Sequence, residues 1–362
     1  MKACAVIAEF NPFHNGHQFL LKKARTVTNA DLMIIIMSGN FVQRGEPALI
    51  NKWERARIAI DCGADLVVEI PTEYAIESAK EFAHAGIDIA HKLGAEFLAF
   101  GSENPNLDFE NESKILDRQF SLENKKYNQN FAAQLFADTS IASSNDILGI
   151  NYAYWNSKLD SKMQLVPIQR EQSEHLDTKI EGNIASASAI RGALLKQKDN
   201  YQEAIPTRTL EVLTHSKLVS WEDFWTMLNY RLRSSTADEL GQIRGIKEGF
   251  ENRILDVVGD SSSFAELMEK LKTKRYTYTN IQRNLVNIFL NIKPINFSIS
   301  KTRLLAANSL GRDFIRENEL KSVIMTKVTK EDFESDYAIT KRADDLYRLI
   351  SPYQWGNSPI IK

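Results

Sequence analysis

Glu9-Phe10-Asn11-Pro12-Phe13-His14-Asn15-Gly16-His17 is the stretch on which the reading of the fold turns. It follows the apolar run Ala3–Ala8, which has the length and continuity of a buried strand. It opens a segment of helical spacing that runs from residue 15 to about 27. A strand passing directly into a helix is the first half of a βαβ unit. Ligands of open parallel sheets bind beyond the C-terminal ends of the strands. The free amides and positive end of the first helix point to the same place and favour phosphate. His14 and His17, three residues apart at a helix start, project to one side. Gly16 between them lets a ligand come close to the backbone. Imidazoles placed there can donate hydrogen bonds to phosphate oxygens as negative charge builds at phosphorus. A metal centre is not expected, because two imidazoles need further ligands and no nearby His or Cys offers them.

Outward from this turn the alternation continues. Residues 32–37 carry Ile34, Ile35 and Ile36 in sequence, apolar on both faces as a central parallel strand requires. A polar loop over 38–50 contains Gly39, Gly45 and Pro47, and a helix over 51–61 is closed by Gly63. Strands are predicted at 66–70, 96–100 and 164–168, with helices at 78–93, 111–136, 144–159 and 186–196. From Tyr201 the strand signal fades, and helical spacing marks 210–215, 221–232, 237–243, 264–272 and 279–290. The expected fold is α/β: a Rossmann-like parallel-sheet domain over 1–198, followed by a mostly α-helical domain over 199–362.

The 362 residues are 43% hydrophobic and 25% charged, the balance of a globular protein with a well-buried core. No apolar run approaches the roughly 20 residues of a membrane span. No secretory leader is recognisable, so a cytoplasmic location without membrane association is expected. Cys4 and Cys62 cannot assemble a thiolate zinc site and read as small buried hydrophobes. The net charge of −2 is unevenly divided. Residues 1–200 hold 21 Lys and Arg against 26 Asp and Glu, and residues 201–362 hold 24 against 21. Between Lys270 and Arg312 lie nine basic residues and no acid, with Tyr276, Tyr278 and Phe297 among them. Nucleic-acid surfaces combine cations for phosphate with aromatic rings for stacking. Lys272, Lys274, Arg275 and Arg283 are therefore candidate RNA contacts.

His14-Asn15-Gly16-His17 resembles the H-x-G-H signature of the nucleotidyltransferase superfamily. Ser186-Ala187-Ser188-Ala189-Ile190-Arg191 resembles its second, Ser-rich signature, where hydroxyls, helix-start amides and a cation meet phosphate. Four longer stretches occur in order: 9–17, 37–48, 63–71 and 100–103. With Lys274-Arg275-Tyr276-Thr277 and Ile281-Gln282-Arg283, they resemble the tRNA(Met) cytidine acetate ligase family. The resemblance implies a defined reaction. Acetate attacks the α-phosphorus of ATP to give acetyl-adenylate and pyrophosphate. The N4 amine of the wobble cytidine of elongator tRNA(Met) then takes the acetyl group and AMP is released. Mg²⁺ is expected with ATP, and no obligate protein partner is evident.

By matching positions, the resemblance assigns His14 and His17 to catalysis. It assigns the ATP site to Ile7, Ala8, Glu9, Phe10, Asn11, Pro12, Phe13, His14, Asn15, Gly16, His17 and Leu20, with Gly101, Asn151, Arg170, Ser188 and Arg191. Glu9 reads as site-lining without a chemical role. The family usually has glycines shortly after that arginine, where this chain has Glu171-Gln172-Ser173-Glu174. In and just after the 38–52 loop, Arg44, Lys52, Arg55 and Arg57 are candidates to grip pyrophosphate or tRNA, and Phe41 and Trp53 to stack on a base or pack beneath the loop. Two competing readings are a small-molecule adenylyltransferase acting on a mononucleotide or pantetheine phosphate, and a non-catalytic RNA-binding module.

Overall fold

The structure is a computed structural model that describes residues 1–120, 143–170, 180, 182–247, 249–273, 276–334, 337–354 and 356–362. Strand β1 (Ala3–Ala8) sits at the middle of the principal sheet, with β2 (Leu32–Ser38) on one side and β6 (Phe97–Ser102) on the other. β5 (Leu66–Ile70) flanks β2 and β7 (Gln164–Gln169) flanks β6, all parallel. The order β5-β2-β1-β6-β7 reverses direction between β1 and β6, which opens a crevice at their C-terminal ends. β3 (Phe41–Val42) and β4 (Glu46–Pro47) form a separate small hairpin after β2.

Alternation along the central strands feeds two cores. Ala3, Ala5, Ile34 and Ile36 face one layer of helices; Cys4, Val6, Met33, Ile35 and Met37 face the other. Cys4 is buried as expected, whereas Cys62 is half-buried, because it lies at the C-terminal cap of the helix Lys52–Asp61. The expected helices at 78–93 and 186–196 are Ala79–Lys92 and Ala187–Leu195, the latter capped by Ser186 accepting from the Ala189 amide at 3.1 Å. The helix expected at 111–136 begins as Phe109–Phe120, and residues 121–136 lie outside the described residues.

A third core belongs to helices of the second half, among them Trp221–Arg233, Phe250–Val258, Phe264–Leu271 and Tyr278–Phe289, while Thr207–His215 packs on the second core through Val212 and Leu213. The centre of the third core holds Trp221, Phe224, Leu285 and Phe289. The sequence reading placed no strand beyond Tyr201, and here the structure differs. β8 (Thr302–Ala307) runs antiparallel along β5, with β9 (Ile324–Met325) and β10 (Ile360–Ile361) pairing parallel to β8. The chain thus leaves the sheet, builds the helical layer and returns. It is locked there by Lys52. This fully buried ammonium bonds Glu69 at 2.7 and 2.8 Å, Asp344 at 2.7 Å and the Tyr337 hydroxyl at 3.1 Å. Among the described residues no helix is long and apolar enough to cross a membrane.

Candidate active site

At the reversal between β1 and β6 lies a cavity of about 270 Å³. One wall is the turn after β1, contributing Ile7, Ala8, Glu9, Phe10, His14, Gly16, His17 and Leu20. Phe10 takes a φ of 49°, a left-handed conformation that bulky residues rarely adopt, and strain of this kind concentrates at functional sites. The turn is held in place by its neighbours. Arg55 donates to the Glu9 carbonyl at 2.7 Å, and the Asn11 side chain accepts from the Leu49 amide at 2.7 Å. Asn15 donates to the carbonyls of Asn183 and Glu203, both at 2.8 Å. Phe13 is buried against Phe10, with ring centroids 4.7 Å apart.

His14 caps the helix Asn15–Thr28, and its ring stacks on that of His17 at 3.6 Å. The His14 amide donates to Nδ1 of His17 at 3.2 Å, so the proton of a neutral His17 sits on Nε2, free to donate. Nδ1 of His14 is buried without a protein partner. Burial, with Arg170 and Arg191 nearby, pulls the His14 imidazole down to about 3. Burial, His14 and Arg170 hold His17 well below the usual histidine value. The pair is therefore uncharged at neutral pH, and neutral N–H donors suit negative charge developing on phosphate.

The opposite wall brings Gly101 from the end of β6 and Arg170 just after β7, both lining the cavity. A Cβ on Gly101 would stand 3.2 Å from Cγ of Arg170, so the glycine leaves room for that side chain to cross it. Glu103 contacts Nε of Arg170 at 3.2 Å and accepts from Asn145 at 2.7 Å. Arg191 stands behind the turn, donating to the Asn11 carbonyl at 2.8 Å and pairing with Glu46 at 2.9 Å; Ser188 lies 3.4 Å from its guanidinium. Asn151 is buried and donates to the Ile147 carbonyl of its own helix at 2.7 Å, while Leu148 and Tyr152 of that helix line the cavity. Asn11, Pro12, Phe13, Asn15, Asn151, Ser188 and Arg191 thus frame the site rather than line it. Glu171-Gln172-Ser173-Glu174 lies outside the described residues.

Of the cations proposed in and just after the 38–52 loop, Arg44 alone lines the cavity. Lys52 and Arg55 are spent inside the protein, and Arg57 pairs with Glu54 at 3.4 Å. Phe41 packs into the helical core, and Trp53 is buried beneath the Arg303 guanidinium at 5.5 Å, so packing accounts for both rings. Phe82, Ser144, Asn145, Leu148 and Tyr152 also line the cavity and are not among the residues expected from the sequence. The apolar members carry the same helical spacing as core residues, so periodicity alone does not separate them. Among the described residues no group of three or more His, Cys, Asp or Glu could hold a metal ion.

Of the RNA-contact candidates, Lys272 is exposed, and Lys274 and Arg275 lie outside the described residues. Arg283 is half-buried. Its backbone packs under the hairpin, where a Cβ on Gly45 would stand 2.3 Å from the Arg283 nitrogen.

A parallel sheet with this strand order, and an H-x-G-H turn opening its first helix at the reversal, define a nucleotidyltransferase-type site. The family model for HIGH Nucleotidyl Transferase matches residues 1–358. The chain is 73% identical over its full length to the tRNA(Met) cytidine acetate ligase of Pediococcus pentosaceus, covering 99% of that protein. It is 34% identical to that of Staphylococcus aureus, over all of this chain and 99% of the other. The Thermotoga maritima TmcAL structures superpose with TM-scores of 0.89 without ligand and 0.86 with α-thio ATP, at 26% and 25% identity. Both alignments cover the whole of this chain and 99% of the other. The chain belongs to the tRNA(Met) cytidine acetate ligase family of HIGH nucleotidyl transferases.

Proposed function

We propose that this protein is an ATP-dependent ligase that activates acetate as acetyl-adenylate and transfers the acetyl group to N4 of the wobble cytidine of elongator tRNA(Met). The observation that carries the reading is the pair of uncharged, stacked imidazoles at the helix start, facing a cavity whose cations are Arg44 and Arg170. Attack of a carboxylate on an anionic phosphate needs charge neutralised rather than a strong base, and this wall offers donors. ATP enters as substrate. In the proposal the turn from Ile7 to His17, with Leu20, lines the ATP site and brings its imidazoles and amides to the phosphates, and Gly101 and Arg170 face the nucleoside. Asn151 supports that wall through its helix. Ser188 and Arg191 join the phosphates only if Arg191 releases Glu46. A Mg²⁺ ion accompanying ATP would be carried on the phosphates, because the described residues of the cavity wall offer a single carboxylate, Glu9. The tRNA is proposed to lie on the helical layer, along Lys272, Lys274 and Arg275, with Arg283 supporting from beneath.

The test is mass spectrometry of unmodified elongator tRNA(Met) after incubation with enzyme, ATP, Mg²⁺ and isotopically labelled acetate. The expected product carries the label on the wobble cytidine. His17→Ala should lower adenylate formation by about 10² or more, the scale of one lost transition-state donor. Release of AMP with another carboxylate or phosphate substrate, and no label on tRNA, would keep adenylyl chemistry and discard the acetate reading.

A further inference from the structure

Transfer of an acyl group to an aromatic amine must dispose of a proton. As N4 attacks the carbonyl carbon of acetyl-adenylate, a C–N bond forms and the bond from that carbon to the phosphate-bridging oxygen breaks. AMP departs, and one N4 proton needs an acceptor. The histidines are poor candidates. Nδ1 of His17 already accepts from the His14 amide, and both rings lie in a field of arginines. Among the described residues that line the cavity, Glu9 is the one carboxylate.

Its placement is specific. The Gln43 amide donates to Oε1 of Glu9 at 2.8 Å, and Arg55 fixes its carbonyl, so the side chain is tied to the β2 side of β1. Gly101 and Arg170, proposed for the nucleoside, lie on the β6–β7 side. The hairpin that anchors Glu9 also touches the helical layer, through Trp221 Nε1 donating to the Gly45 carbonyl at 2.8 Å and through the backbone of Arg283. A base arriving from that layer reaches the cavity on the side where Glu9 stands.

Resting on the ligase reading, we infer that Glu9 is the general base of the second step, taking the proton from N4 as the acetyl group transfers and releasing it to solvent with the product. Burial raises the Glu9 carboxyl above its ordinary value, which brings a carboxylate closer to the strength such a step needs. Arg44 and Arg191 oppose that shift and Glu46 adds to it; Arg55 and Tyr152 lie in the same field. The competing acceptor is the departing phosphate of AMP itself.

The experiment separates the half-reactions. Acetate-dependent exchange of pyrophosphate into ATP reads activation, and single-turnover acetylation of the unmodified elongator tRNA(Met) transcript reads transfer. For Glu9→Gln the ratio of transfer to exchange should fall by about 10²-fold, the lower end of general-base effects. The acidic limb of the transfer pH profile, present in wild type, should vanish, and Glu9→Asp should keep the limb with reduced rate. Equal loss in both assays would make Glu9 a binding or structural residue and overturn the inference. Transfer that keeps its rate and its limb in Glu9→Gln would also overturn it, in favour of the phosphate. Wild type with neither exchange nor transfer would instead overturn the ligase reading.

Discussion

His14 and His17 are held uncharged first by their burial and then by the cations of the site. An unfolded histidine titrates near 6.5, whereas His14 in the fold is pulled to about 3 and His17 also well down. Between those values the unfolded chain binds protons that the folded chain refuses. The stability is therefore complete above about 6.5 and is withdrawn as pH falls towards 3. One pH unit below 6.5, His14 alone withdraws about 1.4 kcal/mol. The urea midpoint of the wild type should drop between pH 7.5 and 5.5, and His14→Asn should flatten that drop. An unchanged slope in the variant would mean that His14 does not carry the effect. The sequence placed both residues at the start of the first helix, and the structure has them there. The sequence could not show that the pair is stacked and neutral, because neutrality follows first from burial and then from Arg170, 156 residues after His14, with Arg191, 177 residues after it, adding to the effect on His14.

At the scale of elements, the short hairpin of β3 and β4 joins the cavity to the helical layer. Its tip supplies Gln43 and Arg44 to the cavity, and Gly45 at φ 76° lets it lie directly on the backbone of the helix Tyr278–Phe289. Gly45→Ala needs both a left-handed alanine and displacement of a helix backbone, a combined cost of about 1 to 3 kcal/mol or more. It should lower the melting temperature and raise hydrogen exchange over 278–289, and it should slow acetyl transfer through the loosened Glu9 anchor. Unchanged melting would mean that the contact is dispensable. The βα alternation over 1–100 was legible because β-branched runs and glycine stops are local signals. β8 was not. Thr302-Arg303-Leu304-Leu305-Ala306-Ala307 has weak strand preference, and becomes a strand because β5 offers it an edge.

For the whole molecule, the return of the chain to the sheet decides how the two halves are coupled. Lys52 belongs to the helix after the hairpin, Glu69 to β5, and Asp344 to the helix Ala338–Ile350, so one buried cluster spans residues nearly 300 positions apart. Such a cluster fixes geometry, since removing one partner strands the others as buried charge. The helical layer is thereby held at a set distance from the cavity, as an enzyme that must deliver one base of a large RNA requires. The acid-free stretch from Lys270 to Arg312 is not a single surface. Arg303 is buried over Trp53, Arg283 is half-buried, and Lys270 pairs with Glu266 at 2.6 Å. The proposed RNA contact therefore narrows to the short segment of Lys272, Lys274 and Arg275. If each touches a phosphate, replacing all three with Gln should lower the slope of log affinity against log salt by about 2 to 3, at 0.7 to 0.9 per contact. ATP affinity should stay unchanged, because Lys272 is not among the residues that line the cavity. Filter binding of elongator tRNA(Met) from 50 to 200 mM salt measures the slope, and Arg283→Gln serves as the contrast. That residue is set under the hairpin, so its loss should show in melting rather than in the salt slope. A triple variant with the wild-type slope would move the RNA surface elsewhere on the helical layer.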